Sequence, residues 1–433
     1  MANWQEMNGK KCACGKIHRF DSRVITGKGA LSQVAEVARE LGATKAFVLS
    51  DPNTFTAAGQ AVCNCLDIPF VSYTLPWAKP EPDEKTVGSV AMHYDASCDL
   101  IIGVGSGVIN DLGKLLSTLT EKPYIIVATA PSMDGYASAS SSMERSGLKV
   151  SLATRAPDVI IGDSEILCNA PPELMKSGLG DMLAKYISIC EWRIAHLLLN
   201  EPYCEKIAQL VRQSLKRCTD QAQSLLLRKE EAVMAVFDGL VACGIAMKYA
   251  GLSRPASGVE HYISHILDMR GAAAHTPVQL HGLQCAVGTL IAARMYEELQ
   301  TITPNRETAL AAVTAFEYED HKKLLRNLLG SGAESMIRQE ASEGKYNKST
   351  HPARLEKLLA NWDEILQIIQ EEVPSAQEIE NLLDMIDAPQ SLAELGTEDT
   401  LLPDIFAATR DIRDKYVLSR LCWDLGITQA LLP

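Results

Sequence analysis

Between Val24 and about Ile166, short apolar runs alternate with stretches whose apolar residues recur at helical spacing. Residues 46–50, 70–74, 99–103 and 123–128 are β-rich. Between them, residues 31–41, 84–96 and 107–118 carry the helix period. Strands alternating with helices predict a doubly wound, mainly parallel sheet covered on both faces. After Asp163 the strand signals nearly vanish. Residues 172–199, 203–226, 230–248, 258–269 and 283–299 read as helices, with more beyond Arg306. The expected organisation is therefore an α/β domain over residues 1–166 and an all-helical domain over 167–433. Gly, Ser, Lys and Glu in 331–351, and prolines at 374 and 389, punctuate the later helices.

Composition narrows the classes. A chain of 433 residues with 47% hydrophobic and 22% charged residues is globular. The longest uninterrupted apolar runs are strand-length, short of the ~20 residues a bilayer requires, so no membrane span is expected. Residues 1–11 lack a basic start and an apolar core, so no signal peptide is read and a cytoplasmic location is expected. Acidic residues exceed basic ones, 54 to 41, and the net charge of −13 disfavours nucleic acid as a partner. Twelve scattered cysteines read mostly as buried thiols. Cys12, Cys14 and His18 put three soft donors within seven residues. Their spacing is not that of a usual zinc knuckle and no fourth donor follows nearby, so a surface hairpin is the simpler reading.

Two features carry candidate chemistry in the α/β half. The segment 99–114 runs from a buried strand into a helix through Gly103, Gly105 and Gly107. Glycines there allow a tight turn and close approach of a diphosphate, whose charge suits the free N–H groups of the following helix. Position 108 is Val, so the pattern is not GxGxxG, and a plain strand-to-helix turn stands as the alternative. Asp51 follows the strand 46–50, where a carboxylate can accept both ribose hydroxyls of an adenosine and repel a 2′-phosphate, favouring NAD over NADP. It is equally good turn chemistry without a ligand.

Three segments of the helical half hold metal donors: Asp181, the pair His261 and His265, and His281. His261 and His265, four apart, share a helix face, as in HExxH without its Glu. One carboxylate with two imidazoles and an open position is the stoichiometry of a catalytic metal site. Singly, Asp181 is also a plausible helix cap and His281 a helix-start residue.

Taken together, GVGSGVIND (103–111), TAPSMDGYAS (129–138), GLGDMLAKY (178–186), SRPASGVEH (253–261) and IRDKYVLSRLCWDLG (412–426) resemble the sn-glycerol-1-phosphate dehydrogenases. These sit in the superfamily of glycerol dehydrogenases, iron-type alcohol dehydrogenases and 3-dehydroquinate synthases. The resemblance spans nearly the whole chain. It implies a dehydroquinate synthase-like fold and a dinucleotide loop on Gly103, Gly105, Ser106, Gly107, Val108, Ile109, Asn110 and Asp111. Nicotinamide-proximal contacts fall on Thr129, Ser132 and Ser138, a substrate contact on Asp134, metal ligands on Asp181, His261 and His281, and a substrate-contacting histidine on His265. Two positions depart from the family pattern: Leu283 stands where a Glu often follows His-Gly, and Val104 where many members have Gly.

The activity this implies is reversible, NAD(P)H- and metal-dependent reduction of dihydroxyacetone phosphate to sn-glycerol 1-phosphate, an entry step to phospholipid biosynthesis. The metal, zinc, nickel or iron, would act as a Lewis acid on the C2 oxygen. His265 would hydrogen-bond substrate, relay a proton, or orient the metal site. Lys185 and Arg254 are the candidates for the substrate phosphate. The site is expected at the carboxyl ends of the strands, between the two halves, and a homodimer is expected from the family. An enzyme acting on an unphosphorylated polyol, and a binding protein without turnover, are the competing readings. A dehydroquinate synthase is more distant, since those members usually carry Glu at the position of Asp181.

Overall fold

The computed structural model describes residues 4–145, 148–274, 276–428 and 431. By packing, the chain forms two units, residues 1–182 with 206–252, and residues 183–205 with 253–433.

The first unit is built on six parallel strands: β1 (Arg23–Gly27), β2 (Ala46–Ser50), β3 (Phe70–Thr74), β4 (Leu100–Gly105), β5 (Tyr124–Ala128) and, after a hairpin, β8 (Val159–Asp163). Their order is β1-β8-β5-β4-β2-β3. The four apolar runs read from the sequence are the central and one outer strand, while β1 and β8 close the other side. Every residue of β2, β4, β5 and β8 is buried, which is why these runs do not alternate. The hairpin, β6 (Ser140–Arg145) paired antiparallel with β7 (Leu148–Ala153), is absent from the sequence reading. Its first strand, Ser-Ser-Ser-Met-Glu-Arg, has almost no apolar signal.

The change from strand-bearing to helical sequence near residue 166 is real, but packing draws the line elsewhere. Helix Glu230–Ala250 belongs to the sheet unit: Phe237 lies over β8, where a Cβ on Gly162 would overlap its ring, and Gly244 lies against Ala137 and the Asp134 carbonyl. This helix is also long and apolar enough to cross a membrane, which the search for short runs overlooked; 78% of its most apolar window is buried, as in a core helix.

Among its described residues the second unit holds helices joined by loops, without a strand. The single stretch expected over 172–199 is two helices, Pro172–Leu183, whose residues up to 182 belong to the first unit, and Lys185–Leu199 in the second. Helices Val259–Ala274 and His281–Thr301 cross where a Cβ on Gly288 would come 2.7 Å from the Glu260 carbonyl oxygen, so their backbones touch. Around them Ile263, Ile266, Val287, Leu355, Ile369, Phe406 and Leu421 form one core, and Leu283 joins it.

Candidate active site

In the sheet unit β2 and β4 are neighbours, with Leu49 opposite Gly103. The residues that follow them, Asp51 and Ser106, therefore lie at adjacent carboxyl ends. Most of the loop's glycines answer to the protein's own packing. A Cβ on Gly103 would overlap the Tyr124 phenol, and one on Gly105 would come within 2.5 Å of Ile109. At Gly107 the nearest atom would be Met133 Cγ at 3.5 Å, an ordinary contact. Val104 is a fully buried strand residue, so its extra bulk points into the core. Ser106, Gly107 and Val108 stay partly exposed, and no side chain caps helix Gly107–Thr120. Its first-turn N–H groups are thus oriented for an anion.

Asp51 caps the helical turn at Pro52–Thr54: its Oδ1 accepts the N–H of Asn53 at 2.8 Å and of Thr54 at 3.0 Å. The turn chemistry is therefore realised through Oδ1.

Other members of the predicted dinucleotide set turn inward. Asn110 donates to the Gly135 carbonyl (3.0 Å), and Asp111 pairs with Lys114 Nζ (3.0 Å). Lys114, which the sequence reading missed, is fully buried and donates to the Gly135 carbonyl, Ser138 Oγ and the Ser140 carbonyl. Ser138 Oγ in turn lies 3.1 Å and 3.0 Å from the Gly135 and Ser140 carbonyls. Asn110 and Ser138, with Lys114 paired to Asp111, tie the helix to the turn Asp134–Ala137 and the residues after it. Thr129 joins the same assembly through its N–H to the Gly105 carbonyl at 3.1 Å, and Ser132 through its carbonyl, which accepts Ser177 Oγ at 3.0 Å.

Helix Pro172–Leu183 docks on this segment because Gly178 has no Cβ to strike the Pro131 carbonyl. One turn on, Asp181, fully buried, accepts the Asp134 N–H through Oδ2 at 2.9 Å. Carboxylate oxygens of Asp134 and Asp181 lie within 4.8 Å of each other.

In the helical unit the Gly288 contact brings His261 and His281 together, with ring centroids 5.0 Å apart. His265 is near the same cluster, 6.2 Å from His281 and 6.4 Å from Tyr262 between centroids. Each candidate ligand has one ring nitrogen tied. His261 Nδ1 is 2.8 Å from Glu260 Oε1, a carboxylate that also accepts the Gly258 N–H at 2.7 Å. His281 Nδ1 is 3.0 Å from Ser264 Oγ, and that hydroxyl gives its single hydrogen to Gln284 Oε1 at 2.6 Å. Gln284 Nε2 reaches Asp268 at 3.2 Å, which fixes the amide's orientation. Ser264 must then accept from His281, so Nδ1 carries the proton and Nε2 keeps its lone pair. Cys285, one turn beyond His281, brings a thiol within 4.8 Å of both imidazoles; the four-residue spacing was the signal for it. Below them, Gly258 leaves space for two buried carboxyl oxygens, Glu191 Oε2 and Glu260 Oε2. Burial pushes both carboxyls above the ordinary range, and charge on Glu260 pushes Glu191 further.

The two phosphate candidates both make hydrogen bonds within the protein. Arg254 is 1% exposed, donates twice to Glu201 (2.8 and 2.6 Å) and once to the Tyr416 carbonyl (2.9 Å). Lys185 is fully buried and donates to the Ala256 carbonyl at 3.0 Å. Both hold the loop that leads into His261.

The family described as iron-containing alcohol dehydrogenase matches residues 25–171. The glycerol-1-phosphate dehydrogenase, NAD(P)+, of Geobacillus thermodenitrificans is 33% identical over 66% of this chain and 73% of its own. That of Methanothrix thermoacetophila is 38% identical over 62% of this chain and 75% of its own. Among solved structures, glycerol dehydrogenase from Schizosaccharomyces pombe superposes with a TM-score of 0.61 at 16% identity, over 96% of this chain and 91% of that one, a likeness of fold. With the dehydroquinate synthase-like fold, the glycine loop and the imidazole cluster in place, the chain belongs to the glycerol-1-phosphate dehydrogenase family.

Proposed function

We propose that this chain is the enzyme that reduces dihydroxyacetone phosphate reversibly to sn-glycerol 1-phosphate with NAD(P)H and one divalent metal ion. The observation that carries the reading is the tautomer arrangement at His261 and His281. On these neighbouring rings each Nδ1 lies against a partner, so Nε2 is the nitrogen through which each imidazole would hold a metal. Asp181 is the third ligand in this reading, and the donor set accepts zinc, nickel or iron. A bound ion would supply Lewis acidity at the ketone oxygen, where alkoxide charge develops.

The chain's own residues do the rest. The N–H groups at 107–109 hold the dinucleotide diphosphate, and Asp51 Oδ2 accepts a ribose hydroxyl and disfavours a 2′-phosphate, so NADH is preferred. Thr129 and Ser132 shape the nicotinamide side. Asp134 orients a substrate hydroxyl, and His265 holds the substrate or passes it a proton. Arg254 and Lys185 act as positioning residues for the loop 253–258. The enzyme is cytoplasmic and a homodimer in this reading, the latter checked by sedimentation.

Purified Asp181→Asn and His281→Ala are expected to fold and to carry little divalent metal, and chelated wild type should regain activity when metal is returned. Full activity of the metal-free protein would contradict the proposal.

A further inference from the structure

The cysteine–histidine string near the start of the chain takes no part in the chemistry above. It does form the surface hairpin read from its sequence: Lys11 and Ile17 make an antiparallel bridge, and Cys12 N–H bonds the Lys16 carbonyl at 2.8 Å. Gly15, at φ +86°, supplies the left-handed residue that the turn requires, and its N–H reaches the Cys12 carbonyl at 3.0 Å. The turn folds three donors onto one point. Cys12 Sγ, Cys14 Sγ and a ring nitrogen of His18 all lie within 4.8 Å of one another, and Cys14 Sγ is 3.4 Å from His18 Nε2. Tetrahedral zinc with Zn–S of about 2.3 Å and Zn–N of about 2.0–2.1 Å separates its ligand atoms by roughly 3.5–3.8 Å. The donors already stand close to that spacing.

The histidine is prepared in the manner of a ligand. His18 is buried, and its Nδ1 lies 3.0 Å from the carbonyl of Tyr249, in the last turn of helix Glu230–Ala250. A carbonyl can only accept, so Nδ1 carries the proton and Nε2 faces Cys14 with its lone pair. The same bond satisfies a carbonyl that the helix end leaves over. Tyr249 OH donates to the Trp4 carbonyl at 3.1 Å and Gly9 N–H donates to the His18 carbonyl at 2.8 Å, so the hairpin is fixed from both sides.

We propose that Cys12, Cys14 and His18 bind a thiophilic divalent cation, zinc by the softness of the donors, at a structural site separate from the active-site metal. Binding displaces two thiol protons to solvent and changes no oxidation state.

The test uses the full-length protein loaded with zinc, and separately with cobalt, whose thiolate charge-transfer absorption reports sulfur ligation. Wild type should carry one more equivalent of zinc per chain than Cys14→Ser, Cys12→Ser or His18→Asn. The cobalt charge-transfer band should be lost or weakened in the two cysteine variants. Cys14 is exposed, so its serine variant keeps the fold, and retained reductase activity with dihydroxyacetone phosphate confirms it. Equal metal content and an unchanged cobalt spectrum in Cys14→Ser and His18→Asn would overturn the proposal, as would a Cys12–Cys14 disulfide in protein purified without reductant. Loss of active-site metal in Asp181→Asn leaves this equivalent in place, so the two sites fail independently.

Discussion

Asp51 shows how one side chain can serve the fold and the ligand through different atoms. Oδ1 caps a helical turn, and in the proposed function Oδ2 accepts a ribose hydroxyl. Asp51→Asn retains the capping oxygen and removes the charge, so it separates the roles that Asp51→Ala confounds. The Asn variant should narrow the preference for NADH over NADPH by losing charge-assisted bonds worth about 1.5–3 kcal/mol. The Ala variant should in addition lower stability by about 1 kcal/mol. Ratios of kcat/KM for the two cofactors, with thermal melts, check both; an unchanged ratio in the Asn variant would remove Asp51 from the cofactor site. At His281 the hydroxyl of Ser264 fixes the tautomer, so Ser264→Ala should weaken metal binding about 10- to 100-fold with the fold intact. Metal affinity measured by competition with a chelator reads this directly. Neither Ser264 nor Gln284 was legible in the sequence, because an uncharged residue gains this meaning only when its hydrogen-bond partners are known. Glu260 stood beside His261 in plain view, yet its role depends on the helix start that aims its carboxylate back at the ring.

Between elements, glycines decide the approach of one backbone to another. Gly178 and Gly288 each face a carbonyl oxygen across a helix contact. Gly288→Ala should cost about 1–3 kcal/mol in stability. By prising His281 from His261 it should also reduce metal content, whereas Gly107→Ala, with ordinary clearance, should leave the melting temperature nearly unchanged. Melts with metal analysis test the contrast. Helix Tyr318–Leu329 is joined to the turn Thr409–Asp411 by a pH-sensitive contact. His321 Nε2 bonds Asp411 at 2.7 Å while Arg410 lies 3.5 Å from Nδ1, so the ring is neutral with its proton on Nε2. Burial lowers its pKa below the ordinary 6.5, despite Asp411. The unfolded chain then binds a proton that the native chain refuses, so this contribution is full above 6.5 and is lost as pH falls below it. Stability should drop as the pH falls below 6.5, and His321→Gln should flatten that slope. The sequence revealed the elements best where apolar runs were long. β2 and β3 are found to the residue, while hairpin β6–β7 escaped because Ser140–Arg145 is held by polar contacts such as Ser141 Oγ to the Asp111 carbonyl at 3.0 Å.

For the whole molecule, the change from strand-bearing to helical sequence was legible, and membership in the glycerol-1-phosphate dehydrogenase family followed from five short strings. Packing was less so: helix Glu230–Ala250 reads as part of the helical half, yet Phe237 and Gly244 fit it to the sheet unit. Nor was it legible that Arg254 and Lys185, the cations the sequence offers for a phosphate, bond Glu201 and the Ala256 carbonyl. The central claim is the substrate, and the assay that tests it most directly follows NADH oxidation by metal-loaded enzyme with dihydroxyacetone phosphate, then with dihydroxyacetone. A bound phosphate dianion should contribute binding energy that also orients the carbonyl, so the phosphorylated substrate should be favoured in kcat/KM by at least ~100-fold, about 2.7 kcal/mol. Comparable efficiency with dihydroxyacetone would contradict the account and make the protein a polyol dehydrogenase.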